Sequence, residues 1–249
     1  MVRLLLAGVS VLLAVLPWVP PAKAASPAVV SLENCNGCAR CFQDCPFSAI
    51  TMAPRSDGQA YAVEAVVNID NCVSCGICVG ACPTATPFRR NSAIVPGIEL
   101  PDFSIADLRK RTMAATADKQ GNTRILVYAC EHSGAESLQG PDATVITMPC
   151  VGMLPPSFID FALSRSYADG VMLAGCAEGD CYYRLGNEWT QQRVDGTRDP
   201  YLRRRVARER LAVSWLPGKS GRQKQVLAEF IARLRALPAP SKERRSDRA

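Results

Sequence analysis

The chain has 249 residues, enough for one or two domains with a proper core, and its 48% hydrophobic and 21% charged content is that of an ordinary globular protein. Net charge is +6, and twelve cysteines stand against a single histidine, His132, which excludes zinc sites built on imidazoles. Neither a Gly-x-Gly-x-x-Gly fingerprint nor a Walker loop is present, so no nucleotide site is expected.

Residues 1–24 form a hydrophobic segment. Arg3 precedes an apolar run from Leu4 to Leu16, Pro17-Trp18-Val19-Pro20-Pro21 follows, and Ala22-Lys23-Ala24 has the small-x-small form of a cleavage site. The run is shorter than the roughly 20 residues a spanning helix needs, although Trp18 suits a membrane interface.

Residues 29–88 are organised by cysteines. Cys35-x2-Cys38-x2-Cys41-x3-Cys45-Pro46 is repeated 37 positions later as Cys72-x2-Cys75-x2-Cys78-x3-Cys82-Pro83. Soft thiolates at this spacing are the ligand set of two [4Fe–4S] clusters. A disulfide framework is the competing reading, but adjacent thiols this crowded are poorly placed for separate bridges. The stretch resembles the bacterial two-cluster ferredoxins, whose fourth cysteine ligates the other cluster. That resemblance implies an α+β ferredoxin-like module with Cys35, Cys38, Cys41 and Cys82 on one cluster and Cys72, Cys75, Cys78 and Cys45 on the second. Ala49–Met52 and Ala62–Ile69 read as small strands around an Arg55–Gly58 turn.

Clusters conflict with simple secretion, because a chain exported unfolded must acquire its iron outside, and no Arg-Arg pair marks the start for folded export. Two readings of 1–24 therefore stay open. One is an anchor through residues 4–19, or the last helix of a longer membrane protein. The other is a cleaved signal. The first puts the chain in the cytoplasm or at the cytoplasmic face of the membrane, and the second exports it.

Residues 89–122 read as a connector broken by Pro96, Gly97 and Pro101. Ser104-x-x-Asp107 then caps a short polar spacer helix ending near Gly121.

From 123 to 238 the pattern changes. Arg124–Ala129, Ala143–Met148 and Gly170–Ala174 are buried strands, with Leu211–Trp215 as a fourth. They alternate with helices over Ser157–Ala168 and Lys219–Leu237, which predicts an α/β domain with a doubly wound parallel sheet. Cys130, Cys150 and Cys176 each follow a strand, and Cys181 is expected at the start of the next helix. Carboxyl ends of parallel strands share one edge, so the four thiols should converge and hold either [2Fe–2S] or zinc. Residues 239–249 are a polar tail.

The motifs Ile125–Cys130, Met148-Pro149-Cys150-Val151-Gly152 and Gly175-Cys176-x3-Asp180-Cys181-Tyr182-Tyr183 resemble the delta subunit family of methyl-viologen-reducing hydrogenase, over roughly 123–237. The resemblance implies a [2Fe–2S] cluster on Cys130, Cys150, Cys176 and Cys181. It also implies a role in relaying electrons between a hydrogenase and heterodisulfide reductase. Two departures stand out: Ser133 lies where the family has a fifth cysteine, and Tyr182 replaces a histidine. His132 is a second candidate ligand, as histidines are in Rieske centres.

Asp199–Arg210 reads as an Asp-capped, Pro-started helix with five arginines on a solvated face and no nucleic-acid motif. The whole chain thus reads as an electron-transfer subunit with two [4Fe–4S] clusters and one [2Fe–2S] cluster. Its partners would be other redox subunits of a hydrogenase or heterodisulfide-reductase-like complex. Two alternatives are a thiol–disulfide or small-substrate reductase acting at the [2Fe–2S] site, and a scaffold whose later cysteines clasp zinc.

Overall fold

The computed structural model describes residues 25–88, 94–115, 123–218 and 221–238. The hydrophobic segment 1–24 and the tail 239–249 lie outside the described residues. Among the described residues no helix is long and apolar enough to cross a membrane.

Each cysteine repeat folds into a strand, a loop and a very short helix. The first has β1 (Val29–Val30) and α1 (Arg40–Gln43), followed by the hairpin β2 (Ile50–Pro54) and β3 (Val63–Val67), and the second repeat supplies α2 (Ile77–Ala81). The β2–β3 pair is antiparallel, running from Ile50 opposite Val67 to Pro54 opposite Val63, with the expected turn at Arg55–Gly58. The cysteine loops demand an unusual backbone, and they demand it twice. Gly37 and Ser74 are left-handed at φ 64° and 58°, and Ala39 and Gly76, which open the two helices, at 60° and 75°. Both pairs are 37 residues apart, like the cysteines. A left-handed non-glycine residue costs on the order of 1 kcal/mol, so the surroundings must impose it.

The connector departs from the spacer reading. β4 (Ile98–Glu99) returns to pair antiparallel with β1, and α3 (Ile105–Ala114) is capped by Ser104, whose Oγ accepts from the Asp107 N–H at 3.0 Å. Ile105, Leu108 and Thr112 on α3 are buried, and Thr112 Oγ1 lies 2.9 Å from the buried Tyr128 hydroxyl of the central sheet. A polar-looking helix was drawn into the core because its few apolar residues fall on one stripe.

That sheet consists of β5 (Ile125–Cys130), β6 (Ala143–Met148), β7 (Gly170–Ala174) and β8 (Leu211–Ser214), all parallel in the order β6-β5-β7-β8. Leu126, Tyr128 and Cys130 face one layer of core, and Ile125, Val127 and Ala129 face the other. α6 (Arg222–Ala236) covers the second face with Leu227, Phe230 and Leu234. The first face is covered by α3, by α4 (Ser157–Ser164) and by the cysteine module itself. One continuous apolar cluster runs from Ile50, Ala65 and Val79 through Leu108 to Tyr128, Phe158 and Leu173. A module too small to bury much surface alone borrows the core of its neighbour.

Two sequence expectations need correction. Cys181 is not at a helix start: it lies on a loop, and α5 (Gly186–Asp195) begins five residues later. The Asp199–Arg210 run is not a solvated helix either. Its only helical piece is a single turn at Arg208–Arg210, and three of its five arginines reach internal acceptors, while Arg204 and Arg208 are exposed. Arg203 and Arg205 pair with the buried Asp160 at 3.1 and 2.9 Å, and Arg210 donates to the carbonyls of Asp169 and Pro238. Asp199, the expected cap, instead accepts from Arg40 at 3.1 Å. A buried carboxylate needs compensating charge, and that need outweighed local helix signals.

The two halves meet most closely where α2 crosses the single turn Val151–Met153. A Cβ on Gly80 would stand 2.0 Å from the Gly152 carbonyl oxygen. Gly80→Ala is therefore expected to cost about 2–3 kcal/mol in thermal unfolding of the reconstituted chain. Gly140→Ala, whose Cβ would meet nothing closer than 3.9 Å, should stay within about 0.5 kcal/mol of wild type.

Candidate metal centres

The eight cysteines of the repeats separate into two groups of four. Cys35, Cys38, Cys41 and Cys82 line one hollow with Met52, Ala65 and Ile98. Cys45, Cys72, Cys75 and Cys78 line the next with Ala28, Phe47, Ile50 and Leu100. The crossing follows from the short helices. Cys41 sits in α1 and Cys45 just past its end, and α2 separates Cys78 from Cys82 in the same way. Four residues of helix advance the chain by about 6 Å, which carries the fourth thiol out of its own loop and into the neighbouring hollow.

The donor chemistry suits clusters. Burial pushes the Cys41 thiol up to about 12, with Cys82, Cys38 and Cys35 adding to the shift, and burial likewise pushes Cys75 up to about 12. Burial also raises Cys78 well above its ordinary value, and both Cys75 and Cys41 act on it, so the two hollows are electrostatic neighbours. Four thiolates in a dry hollow repel one another, and iron removes that cost by taking up the charge. Backbone amides soften it meanwhile. Ala49 N–H donates to Cys45 Sγ at 3.2 Å, Ala28 N–H to Cys72 Sγ at 3.4 Å, and the Thr84 hydroxyl lies 3.1 Å from Cys82 Sγ.

The third group forms at the carboxyl edge of the parallel sheet. Cys130 ends β5, and Cys176 lies two residues beyond the adjacent β7, with 3.7 Å between their sulfurs. Order β6-β5-β7-β8 puts the reversal of winding between these two strands, the place where open α/β sheets bind ligands. Cys150, after β6, and Cys181 complete a group of four in which Cys130 and Cys181 each interact with Cys150 and Cys176. Hydrogen bonds from Cys150 and Cys176 push the Cys130 and Cys181 thiols strongly down, and those two donors are pushed up in return. Among the described residues, no three histidine, cysteine, aspartate or glutamate side chains converge on one mononuclear metal position.

The surrounding loop is cut to this ring. A Cβ on Gly186 would stand 2.2 Å from Cys150 Sγ and 3.5 Å from Cys181 Sγ, so the first residue of α5 must be glycine. The backbone at Asn187 and Tyr183 helps hold the Cys181 thiol down, and Gly152 N–H donates to Cys150 Sγ at 3.4 Å. The helix start predicted at Cys181 thus acts from further along the chain. Asn187 Nδ2 donates to the Cys176 carbonyl at 2.8 Å, tying the two loops together. His132 gives Cys130 its backbone N–H, while its ring stacks on Tyr182 at 3.6 Å and its Nε2 lies 3.3 Å from Glu131. Ser133, at the position of an expected fifth cysteine, is buried with its hydroxyl donating to the Cys130 carbonyl at 2.6 Å.

Second and third groups share a wall. Cys75, Ile77, Cys150 and Trp189 form one buried apolar cluster, with Phe47, Tyr183 and Leu185 packed against it. The sequence reading missed the charges beside that wall. Arg193, 1% exposed, donates Nη1 to the Gly152 carbonyl at 3.0 Å and pairs through Nη2 with the buried Asp44. A signal existed: Gly186, Thr190 and Arg193 fall on one side of α5, so the arginine sits in the buried stripe.

Residues 121–238 match the model of the methyl-viologen-reducing hydrogenase delta subunit, and residues 34–86 match that of a 4Fe-4S dicluster domain. The iron-sulfur subunit of an F420-non-reducing hydrogenase of Archaeoglobus profundus is 35% identical over 98 residues, which is 39% of this chain and 71% of the relative. The vhc iron-sulfur subunit of the F420-non-reducing hydrogenase of Methanococcus voltae is 32% identical over 108 residues, covering 41% and 74%. One subunit of the ferredoxin:CoB-CoM heterodisulfide reductase of Methanosarcina mazei is 27% identical over 150 residues, covering 56% of this chain and 19% of that protein. The chain belongs to the methyl-viologen-reducing hydrogenase delta subunit family, with a 4Fe-4S dicluster domain ahead of the family's own region.

Proposed function

We propose that this chain is an iron–sulfur electron-transfer subunit that passes electrons along three internal centres inside a larger redox complex of the hydrogenase or heterodisulfide-reductase kind. In this reading Cys35, Cys38, Cys41 and Cys82 hold an outer [4Fe–4S] cluster, and Cys72, Cys75, Cys78 and Cys45 hold an inner one. Cys130, Cys150, Cys176 and Cys181 hold a [2Fe–2S] cluster. The observation that carries it is the order of the thiol groups: Cys41 and Cys78 lie within each other's field, and Cys75 and Cys150 share the wall built on Ile77. Electrons tunnel well only across short, rigid gaps, and a buried apolar wall supplies one. The chain then performs no bond chemistry. It holds clusters in sequence and tunes them through ligation, burial and N–H···S hydrogen bonds.

An exposed end supports exchange with a partner. Cys38 is exposed and Phe42, next to Cys41, is 48% exposed, so the outer cluster lies close to the surface. The [2Fe–2S] end is rimmed by Tyr182, 64% exposed, and by His132. Partner subunits would dock at these two ends. We place the chain in the cytoplasm, held at the membrane where residues 4–19 act as an anchor. Recovery of the full chain with membranes, and its release on deletion of 1–24, tests that placement; secretion of a shortened chain overturns it.

Anaerobic reconstitution should load about ten irons per chain, two cubanes plus one [2Fe–2S]. Eight irons with one zinc would replace the [2Fe–2S] assignment by a clasp, and substrate turnover by the isolated chain with an artificial donor would favour the reductase reading. Cys150→Ser is expected to lose the [2Fe–2S] paramagnetic signal and keep both cubane signals. Gly186→Ala should act on the same centre without removing a thiol, because its methyl would occupy the space of Cys150 Sγ. Iron is expected to fall from about ten to about eight per chain.

A further inference from the structure

We infer that the buried Arg193 cation, held between Asp44 and the Gly152 carbonyl, is a positioning charge that keeps the inner [4Fe–4S] centre and the [2Fe–2S] centre at more positive reduction potentials than they would otherwise have. This rests on the electron-relay reading above.

The location is specific. Asp44 immediately precedes Cys45 of the inner centre, Gly152 lies two residues from Cys150, and a Cβ on Gly80, between Cys78 and Cys82, would stand 2.9 Å from Arg193 Nη1. The guanidinium therefore stands where the supporting chains of both centres cross. Its field reaches the Cys150 sulfur. Local charge does not cancel. Asp44 is shared by Arg193 and by Arg198, whose side chain is 28% exposed, leaving two cations on one carboxylate.

Stability alone does not account for this arrangement. Arg193 Nε finds no acceptor among the described residues, so the side chain is buried with its hydrogen bonding incomplete. A buried ion pair is commonly no better than an apolar residue of similar volume, and a methionine would close the same wall without the desolvation cost. What the methionine lacks is positive charge beside anionic sulfur. Net charge near a cluster is one of the protein's controls on potential: a fixed cation favours the reduced, more negative state and raises it.

The test is a redox titration of the reconstituted full chain, following each centre by paramagnetic resonance. Arg193→Met should move the inner [4Fe–4S] and [2Fe–2S] midpoints to more negative values and leave the outer [4Fe–4S] midpoint in place. Asp44→Asn should move the same two midpoints the opposite way, because it leaves two cations unopposed. Arg193→Lys, which keeps the charge, should restore wild-type values. A purely structural pair predicts shifts of the same sign in the Met and Asn variants. That result, or no shift in variants that keep their iron, overturns the inference. Should Arg193→Met fail to load iron, Asp44→Asn decides by its sign. A wild-type chain that binds no cluster at all would instead overturn the relay reading beneath it.

Discussion

Anionic sulfur in a dry interior is the constraint on which the rest of this structure depends. Twelve thiols gather in three groups, eleven of them buried or half-buried, and a buried charge is costly unless something compensates it. Several unusual local features answer that cost. The left-handed residues at 37, 39, 74 and 76 bend the cysteine loops around their hollows, and amides at Ala28, Ala49 and Gly152 donate to sulfur. Glycine at 186 leaves room for Cys150. For the eight cysteines of the dicluster domain, iron is the remaining partner, so cluster loading and folding are linked there.

The same constraint explains why the two halves are not separable beads. A small cluster module gains burial by laying α2 against the Val151–Met153 turn, and the parallel sheet gains a cover for one face. The contact also brings the inner thiol group within one apolar wall of the strand-end ring. Packing and electron transfer thus ask for the same close approach. At the junction Asp44 pairs with Arg193 and Arg198, and Arg184 donates to the Pro46 carbonyl, fastening the segment that carries Cys45.

Family membership fits this picture without replacing it. The matched delta-subunit region begins at residue 121 and ends at 238, and so contains the strand-end ring but none of the first eight cysteines. Those lie within the separately matched dicluster domain at 34–86. The interface between the two regions lies outside either match taken alone, and its wall and buried charges are seen only in the three-dimensional arrangement.

Much of the chemistry was legible in one dimension. Thiol spacing and its 37-residue repeat pointed to two ligand groups with three cysteines from each tight loop, and the resemblance to two-cluster ferredoxins implied the exchange of the fourth. Apolar runs ending in cysteine determined the convergence at the sheet edge, because parallel strands share their carboxyl side. Other features needed the folded chain. Arg198, Arg203, Arg205 and Arg210 look solvated in sequence, and only the tertiary structure sets them against Asp44, Asp160 and the Asp169 carbonyl. α3 reads as a spacer and turns out to be core, because burial depends on what a stripe meets as well as on the stripe itself. Spacing along the chain determines which atoms can share a metal. Only packing between distant segments decides which charges lie beside that metal, since those charges come from residues far apart in sequence.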